Sequence, residues 1–338
     1  MRIKYQQGLD LFLLAKSATC SDRTMEYYTS CLRYFTDFII MELKKEIHDI
    51  YLDEISLKNL NGFVVYLRTK KKYEGNIFVS EQRKASEKLK KKSVQTYQRG
   101  IKIFFSYCYD ENLMDVEITR KYKLIKGETS IIVPLYNHEV EEIDKIYNPK
   151  TETGIRNLAI VHLLLDAGFR SGEVLSLKIC DIMFDKNLVM ADGKGDKQRI
   201  IPMGKKLKNY LYKYLIMYRR VSINQMGNFT NYNDDYVFLN LKNSQSIGDN
   251  VITMMFSRIK KRTGIERVHP HLLRHTFATS YVLMGGDLES LRIYLGHADV
   301  QTTTMYTHLA NTYKLMNEDI YKLDSVFLSA GIISGTNN

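Results

Sequence analysis

The sequence predicts a mainly α-helical α+β fold in two domains, with a small β-sheet confined to the second. Three observations carry that expectation. Apolar residues recur at helical spacing through most of the chain. One stretch, 187–202, instead breaks into two short apolar runs separated by turn residues, the pattern of a β-hairpin. At 338 residues with 44% apolar composition, the chain also exceeds what one core usually organises. We place a helical domain at 1–117, a linker at 118–133, a mixed but mostly helical domain at 134–322 and a tail at 323–338.

In the first domain, spacing predicts a helix from about Gln7 to Lys16. Ser21 and Asp22 can cap a second helix running through Tyr27, Tyr28, Cys31, Leu32, Tyr34, Phe35 and Phe38. A third covers Leu57 to Lys71, and a fourth runs from Ser93 through Tyr97, Ile101, Phe104, Phe105 and Cys108. The aromatic stripe on this fourth helix reads as core, because it keeps helical period, rather than as a base-stacking surface. Between the last two helices lie Lys70, Lys71 and Lys72, then a polar run ending in Lys90, Lys91 and Lys92. Such a run is ordinarily a solvated loop. Lysines at the start of a helix are also well placed to hold phosphates, and we expect these six to do so.

The linker is rich in basic residues and ends before Pro134. In the second domain the hairpin pairs Leu188-Val189-Met190 with Ile200-Ile201 and carries Lys194 near its tip. Asn224 to Asp235 is polar and reads as an exposed loop, and Tyr236 to Leu239 as a short strand. Helical spacing returns from Asn311 to Lys322, and the chain then ends with apolar Val326, Phe327, Leu328, Ile332 and Ile333.

Composition narrows the function classes. The formal net charge is +11, and residues 1–125 hold 23 Lys and Arg against 16 Asp and Glu, while 126–338 hold 26 against 22. The excess fits a nucleic-acid partner and equally fits ordinary solubility. Cys20, Cys31, Cys108 and Cys180 follow no zinc or disulfide spacing, and no run of eighteen apolar residues appears, so a reducing cytoplasm without a membrane anchor is expected. No metal is expected at His269, His271 and His275: no glutamate lies between the helical pair His271 and His275, and Arg274 would repel a cation. Gly193-Lys194-Gly195 matches no phosphate-loop pattern, so no nucleotide cofactor is expected either.

The chemistry concentrates late in the chain. His271-Leu272-Leu273-Arg274, Leu295-Gly296-His297 and Tyr306 supply two imidazoles, a permanent cation and a phenol that can act as nucleophile. A free phenol has a pKa near ~10, so it needs a proton acceptor and nearby positive charge before it can attack a phosphodiester. Upstream, Arg170 is followed three residues on by Glu173, one helical turn away and able to hold it in place. Each residue alone has a plainer reading: an arginine after a helix is usually a surface charge, a hairpin lysine a solubilising one, and most of the 24 tyrosines must be core or surface. Spacing sets this group apart: 24 from Arg170 to Lys194, 23 from Arg274 to His297 and 9 from His297 to Tyr306.

In this order and wording, including Pro270-His271-Leu272-Leu273-Arg274-His275-Thr276-Phe277 and Leu295-Gly296-His297-Ala298-Asp299, the chain resembles the tyrosine recombinases of the phage-integrase family over roughly residues 135–310. The resemblance is to the two-domain type found in Xer resolvases and transposon integrases. It implies a helical core-binding, SAM-like DNA-binding domain followed by a mostly helical catalytic domain. It implies that Arg170 and Arg274 grip the scissile phosphate, His297 adds a hydrogen bond, His271 assists proton removal from Tyr306, and Lys194 protonates the departing 5′ oxygen. Glu173 would support them, while Lys197 and Arg199 would touch DNA phosphates. The implied partner is double-stranded DNA, bound by a homotetramer on two sites that is a monomer or weak dimer without DNA, with accessory proteins in some relatives. The implied work is integration or excision of a mobile element, or resolution of DNA multimers. In family members the tail crosses to a neighbouring protomer, which would put Phe327 in a partner's groove. A type IB topoisomerase would share the cleavage chemistry without strand exchange, and a regulator that had lost catalysis would lack a complete set of these residues.

Overall fold

The computed structural model describes residues 2–71, 88–126, 132–193, 198–219, 222–223, 229–230, 235–240, 245–297, 301–316, 319–324 and 326–327. These fall into two compact units, Met1–Ser130 and Ile131–Asn338.

The first unit is built from α1 (Tyr5–Ser17), α2 (Asp22–Leu43), α3 (Leu57–Thr69) and α4 (Lys91–Asp110). Ser21 takes the N-cap position of α2, but its hydroxyl meets Thr24 Oγ1 at 3.1 Å and no side-chain cap bond forms. The core is aromatic: Phe12, Phe35, Phe63, Phe104 and Phe105 are buried and meet mostly edge to face, as ring quadrupoles favour. Ile101, Phe104, Phe105 and Cys108 all point inward, so the stripe on α4 is core, as its period predicts. Backbone bonds from Tyr5 N to Ile50 O (2.9 Å) and Leu52 N to Ile3 O (3.0 Å) pin the start of the chain onto this unit.

The second unit runs through α5 (Asn137–Lys145), α6 (Glu152–Asp166), the single turn α7 (Ser171–Ser176), a three-stranded antiparallel sheet of β1 (Ile182–Met183), β2 (Leu188–Asp192) and β3 (Gln198–Pro202), then α8 (Lys205–Lys213). After short strand pairs follow α9 (Asp249–Thr263), α10 (Pro270–Leu283), α11 (Leu288–Leu295) and α12 (Gln301–Met316). Helix α6 is buried on nearly every side and packs against α8 and α10, so it is the axis of the unit. The hairpin register sets Val189 opposite Ile201 and Ala191 opposite Arg199. The strand expected at Tyr236–Leu239 is smaller than that: Tyr236 bridges to Lys178, and only Leu239–Asn240 pairs, with Gln245–Ser246. Most of the loop expected at 224–235 lies outside the described residues. Among the described residues no helix is long and apolar enough to cross a membrane.

A buried polar chain crosses this unit beside α6. His162 is fully buried, with Nδ1 2.6 Å from Asp166 Oδ2 and Nε2 2.9 Å from Asp144 Oδ1. Lys206 donates to Asp144 (2.5 Å), the Tyr321 hydroxyl donates to Asp166 (2.9 Å), and the Tyr210 ring lies 5.1 Å away. Burial by itself would lower the His162 pKa, yet the Asp166 and Asp144 carboxylates outweigh it and raise the imidazole from 6.5 to about 9. A raised folded-state value stabilises below the unfolded pKa, and that contribution disappears as pH climbs through the folded value. Denaturant unfolding of the full chain should therefore lose stability between pH 6.5 and 9, by roughly 3 kcal/mol. His162→Gln should flatten that slope; an unchanged slope in the variant would show that the loss arises elsewhere.

Candidate active site

Five of the residues singled out from the sequence converge at one end of α6. The chain leaves α6 through Gly168, whose φ of +63° suits glycine and whose missing Cβ would meet the Phe277 ring at 2.6 Å. Arg170 follows as N-cap of α7 and Glu173 sits in its first turn, so the three-residue spacing lets the carboxylate bond back to Arg170. Glu173 Oε1 accepts from Arg170 Nη1 (2.8 Å), and Oε2 accepts from the Arg170 backbone N–H (2.7 Å). Burial would raise the Glu173 pKa, but Arg199 and Arg170 overcome it and hold the carboxyl below its ordinary value.

Arg274 enters from α10. His269 caps that helix, its Nδ1 accepting from Leu272 N at 3.1 Å, and Pro270 occupies the first turn, where its absent N–H is harmless. One turn on, buried Arg274 donates to the Gly168 and Leu295 carbonyls, the second being the last residue of α11. Its guanidinium thus ties the exit of α6 to the end of α11 and stands 4.0 Å from Glu173. Burial and the neighbouring Arg170 push the Arg274 pKa down to about 9, still above neutrality, so it remains a cation. Arg170 is more open, with 36% of its side chain exposed, and also donates to Gly296 O at 3.3 Å.

Tyr306, on α12, is 2% exposed. Its hydroxyl lies 2.8 Å from His275 Nδ1, and its ring is 5.7 Å from that of His275 and 6.5 Å from that of His297. Burial drives the phenol up to about 12 against the pull of Arg274 and Arg170. Burial, reinforced by neighbouring positive groups, lowers both His275 and His297 to about 4. Both rings are therefore neutral at pH 7, and the ring nitrogen of His275 can accept a hydrogen bond from the phenol but is too weak a base to remove its proton. His297 Nδ1 meets Thr303 Oγ1 at 3.1 Å.

Two placements differ from the sequence expectations. The imidazole on Tyr306 is that of His275, whereas His271, one turn earlier on the same face of α10, is exposed. Arg199 is not on the surface where phosphates would lie: it is buried, and its guanidinium is spent on Glu173 and the Tyr294 carbonyl. The reason is the hairpin register, which turns Arg199 to the same side as buried Ala191. His275 was legible as the i+4 neighbour of His271, and Arg199 as the cross-strand partner of an inward alanine. Lys194 and Lys197 lie outside the described residues.

In the first unit, Lys71 and Lys88 form an antiparallel bridge, which brings the two lysine groups together. Lys90 is the N-cap of α4, with exposed Lys91 and Lys92 in its first turn. Lys70 donates to the Tyr66 hydroxyl (2.7 Å) and lies 5.0 Å from the centres of the Tyr34 and Tyr66 rings, a cation held between aromatic faces. Lys72 lies outside the described residues.

Two family models match the chain: the Phage integrase family over residues 134–312 and the Phage integrase SAM-like domain over residues 10–124. Tyrosine recombinase XerD of Listeria monocytogenes serovar 1/2a is 30% identical over 303 residues, 89% of this chain and 92% of that one. Tyrosine recombinase XerC of Bacillus pumilus is 32% identical over 225 residues, 66% of this chain and 72% of that one. Among solved structures, the Tn1549 transposon integrase in complex with a circular intermediate DNA superposes with a TM-score of 0.66 at 16% identity, covering 94% of this chain and 100% of that one. The XerH recombinase bound to a palindromic difH substrate gives 0.64 at 20% identity, covering 93% and 89%. At such identities the two solved structures speak to the fold.

Proposed function

Because this chain belongs to the phage integrase family and is a site-specific tyrosine recombinase, we propose a role for each member of the site in cutting and rejoining double-stranded DNA. The observation that carries the proposal is the burial of one phenol, Tyr306, beside two arginines that share a carboxylate. Tyr306 attacks the scissile phosphorus while the bond to the 5′ oxygen breaks, leaving a 3′-phosphotyrosyl bond and a 5′ hydroxyl. Arg170 and Arg274 stabilise the added negative charge of the transition state, for which planar guanidinium forks are suited. His297 donates a further hydrogen bond, and Lys194 gives its proton to the departing oxygen. The phosphotyrosyl bond conserves the energy of the one that broke, so the 5′ hydroxyl of a partner duplex can reverse the step.

The two histidines of α10 divide the handling of the Tyr306 proton. His275 holds the phenol while DNA is absent, and exposed His271, three residues from Arg274, takes the proton once the backbone is seated. In the first unit, Lys71, Lys90, Lys91 and Lys92 contact DNA phosphates, with Lys70 and Lys72 beside them. Exchange between two duplexes breaks four strands and so calls for four nucleophiles, one from each member of a homotetramer. The protein is a monomer or weak dimer without DNA, acts in the cytoplasm where its substrate lies, and integrates or excises a mobile element or resolves DNA multimers.

Phe327 is 1% exposed against Phe277 and Tyr294 of its own unit. We propose that this aromatic slot receives a neighbour's Phe327 in the tetramer. Deleting residues 323–338 should then reduce two-site complexes in gel-shift experiments and leave single-site binding intact; undiminished two-site assembly contradicts the exchange.

Incubated with sheared DNA from its source genome and then denatured, the protein should retain covalently bound fragments, and Tyr306→Phe should retain none while binding DNA as before. Fragments held by the phenylalanine variant would remove Tyr306 from its role. On the site recovered in this way, His271→Ala should slow cleavage by roughly 10²-fold, and His275→Ala by less than about tenfold. The reverse ranking would make His275 the working base.

A further inference from the structure

Strand β3 buries Ile201 but puts a cation at its other inward position. Ile200 is 49% exposed while the Arg199 side chain beside it is 4% exposed, so an apolar residue faces solvent and a cation faces the interior. A buried ion pair is a poor way to stabilise a fold, since well-packed apolar side chains of similar volume usually serve as well or better. Each of the three guanidinium nitrogens nevertheless makes a hydrogen bond. Nε donates to Tyr294 O (2.7 Å), Nη1 to Glu173 Oε1 (2.9 Å) and Nη2 to Glu173 Oε2 (2.6 Å). Gly296 makes the room: a Cβ there would sit 3.3 Å from Arg199 Cδ and Nη1.

We infer that Arg199 is a positioning residue for DNA cleavage, one that shares Glu173 with Arg170, holds that carboxylate off Arg274 and fixes the turn leading to His297, so that the excess positive charge is left for the phosphate. The inference rests on the roles proposed above for those two arginines and Tyr306. Three segments meet on Arg199: β3, the turn after Arg170 through Glu173, and the end of α11 through Tyr294. Formal charges make the point. With Arg170, Arg199 and Arg274 around one Glu173, the site carries a net +2; without Arg199 it carries +1, and the carboxylate would have only the two phosphate-gripping arginines to bond. Glu173 Oε2 is now 2.6 Å from Arg199 but 4.0 Å from Arg274. Arg199 also adds at longer range to the positive field around Arg274 and His297, the field that a phosphate anion would enter. Lysine could replace the charge but not the three-way fork.

The test uses the full-length protein and a nicked duplex of the site recovered by covalent capture, made once with an ordinary scissile phosphate and once with an uncharged methylphosphonate. Arg199→Met should bind DNA with unchanged affinity but cleave the phosphodiester roughly 10²-fold more slowly in a single turnover. On the methylphosphonate, which asks less of the guanidinium cage, the gap from the parent should narrow by about tenfold or more. Arg199→Lys keeps a cation in the interior, guards against loss of the fold, and should show the same narrowing. Equal loss on both substrates, or none on either, overturns the inference. These outcomes are separate from the Tyr306→Phe result: capture by that variant would sink the nucleophile assignment, whereas an inert phenylalanine variant with equal Arg199 losses on both substrates sinks only the positioning role.

Discussion

One carboxylate organises the catalytic unit. Glu173 accepts hydrogen bonds from Arg170 and Arg199 and stands 4.0 Å from Arg274, so three guanidinium groups gather around a single negative charge. Like charges at that spacing repel, and in a low-dielectric interior the repulsion is severe unless a counter-ion sits among them. Glu173 is that counter-ion, and it leaves an excess of positive charge facing the one open arginine. The rest of the second unit supplies anchors. Gly168 turns the chain so that its carbonyl meets Arg274, α11 ends so that Leu295 offers another, and the β2–β3 hairpin delivers Arg199 from the far side.

The same burial that strengthens the cage keeps the proposed nucleophile quiet. Tyr306 is covered, its phenol is pushed up to about 12, and its hydroxyl rests on an imidazole that is neutral because it too is buried among positive groups. Reactivity therefore has to arrive with the substrate. A phosphate in the cage would bring the charge that the arginines are arranged to meet, and its backbone would take the place of solvent beside His271. Fixing the donors beforehand means that little reorganisation remains for the moment of reaction.

Much of this was legible in the sequence. Helical period located α2, α3 and α4 and identified the aromatic stripe of α4 as core, because Ile101, Phe104, Phe105 and Cys108 fall on its inward face. The hairpin was legible from its turn residues, and Arg170, Glu173, Arg274, His297 and Tyr306 do meet in space. What escaped depends on register and on facing rather than on residue type. Arg199 looked like a surface cation because cations usually are; only its pairing with Ala191 turns it inward. Which of His271 and His275, one helical turn apart on a shared face, touches Tyr306 depends on how α10 faces α12, and residue type does not give that. In the single chain Phe327 fills its own Phe277–Tyr294 slot, a packing that no spacing in the sequence announces. The strand at 236–239 is short because its partner changes along its length: Val237 N donates to Leu177 O, whereas Phe238 O accepts from Ile247 N and Leu239 pairs with Ser246.

If Tyr306 attacks as proposed, one buried phenol becomes esterified to DNA inside this arginine cage. Mass spectrometry of the protease-digested covalent complex should find a nucleotide attached by its 3′ phosphate to the peptide bearing Tyr306; a nucleotide on any other of the chain's tyrosines, or on a serine, would contradict that assignment.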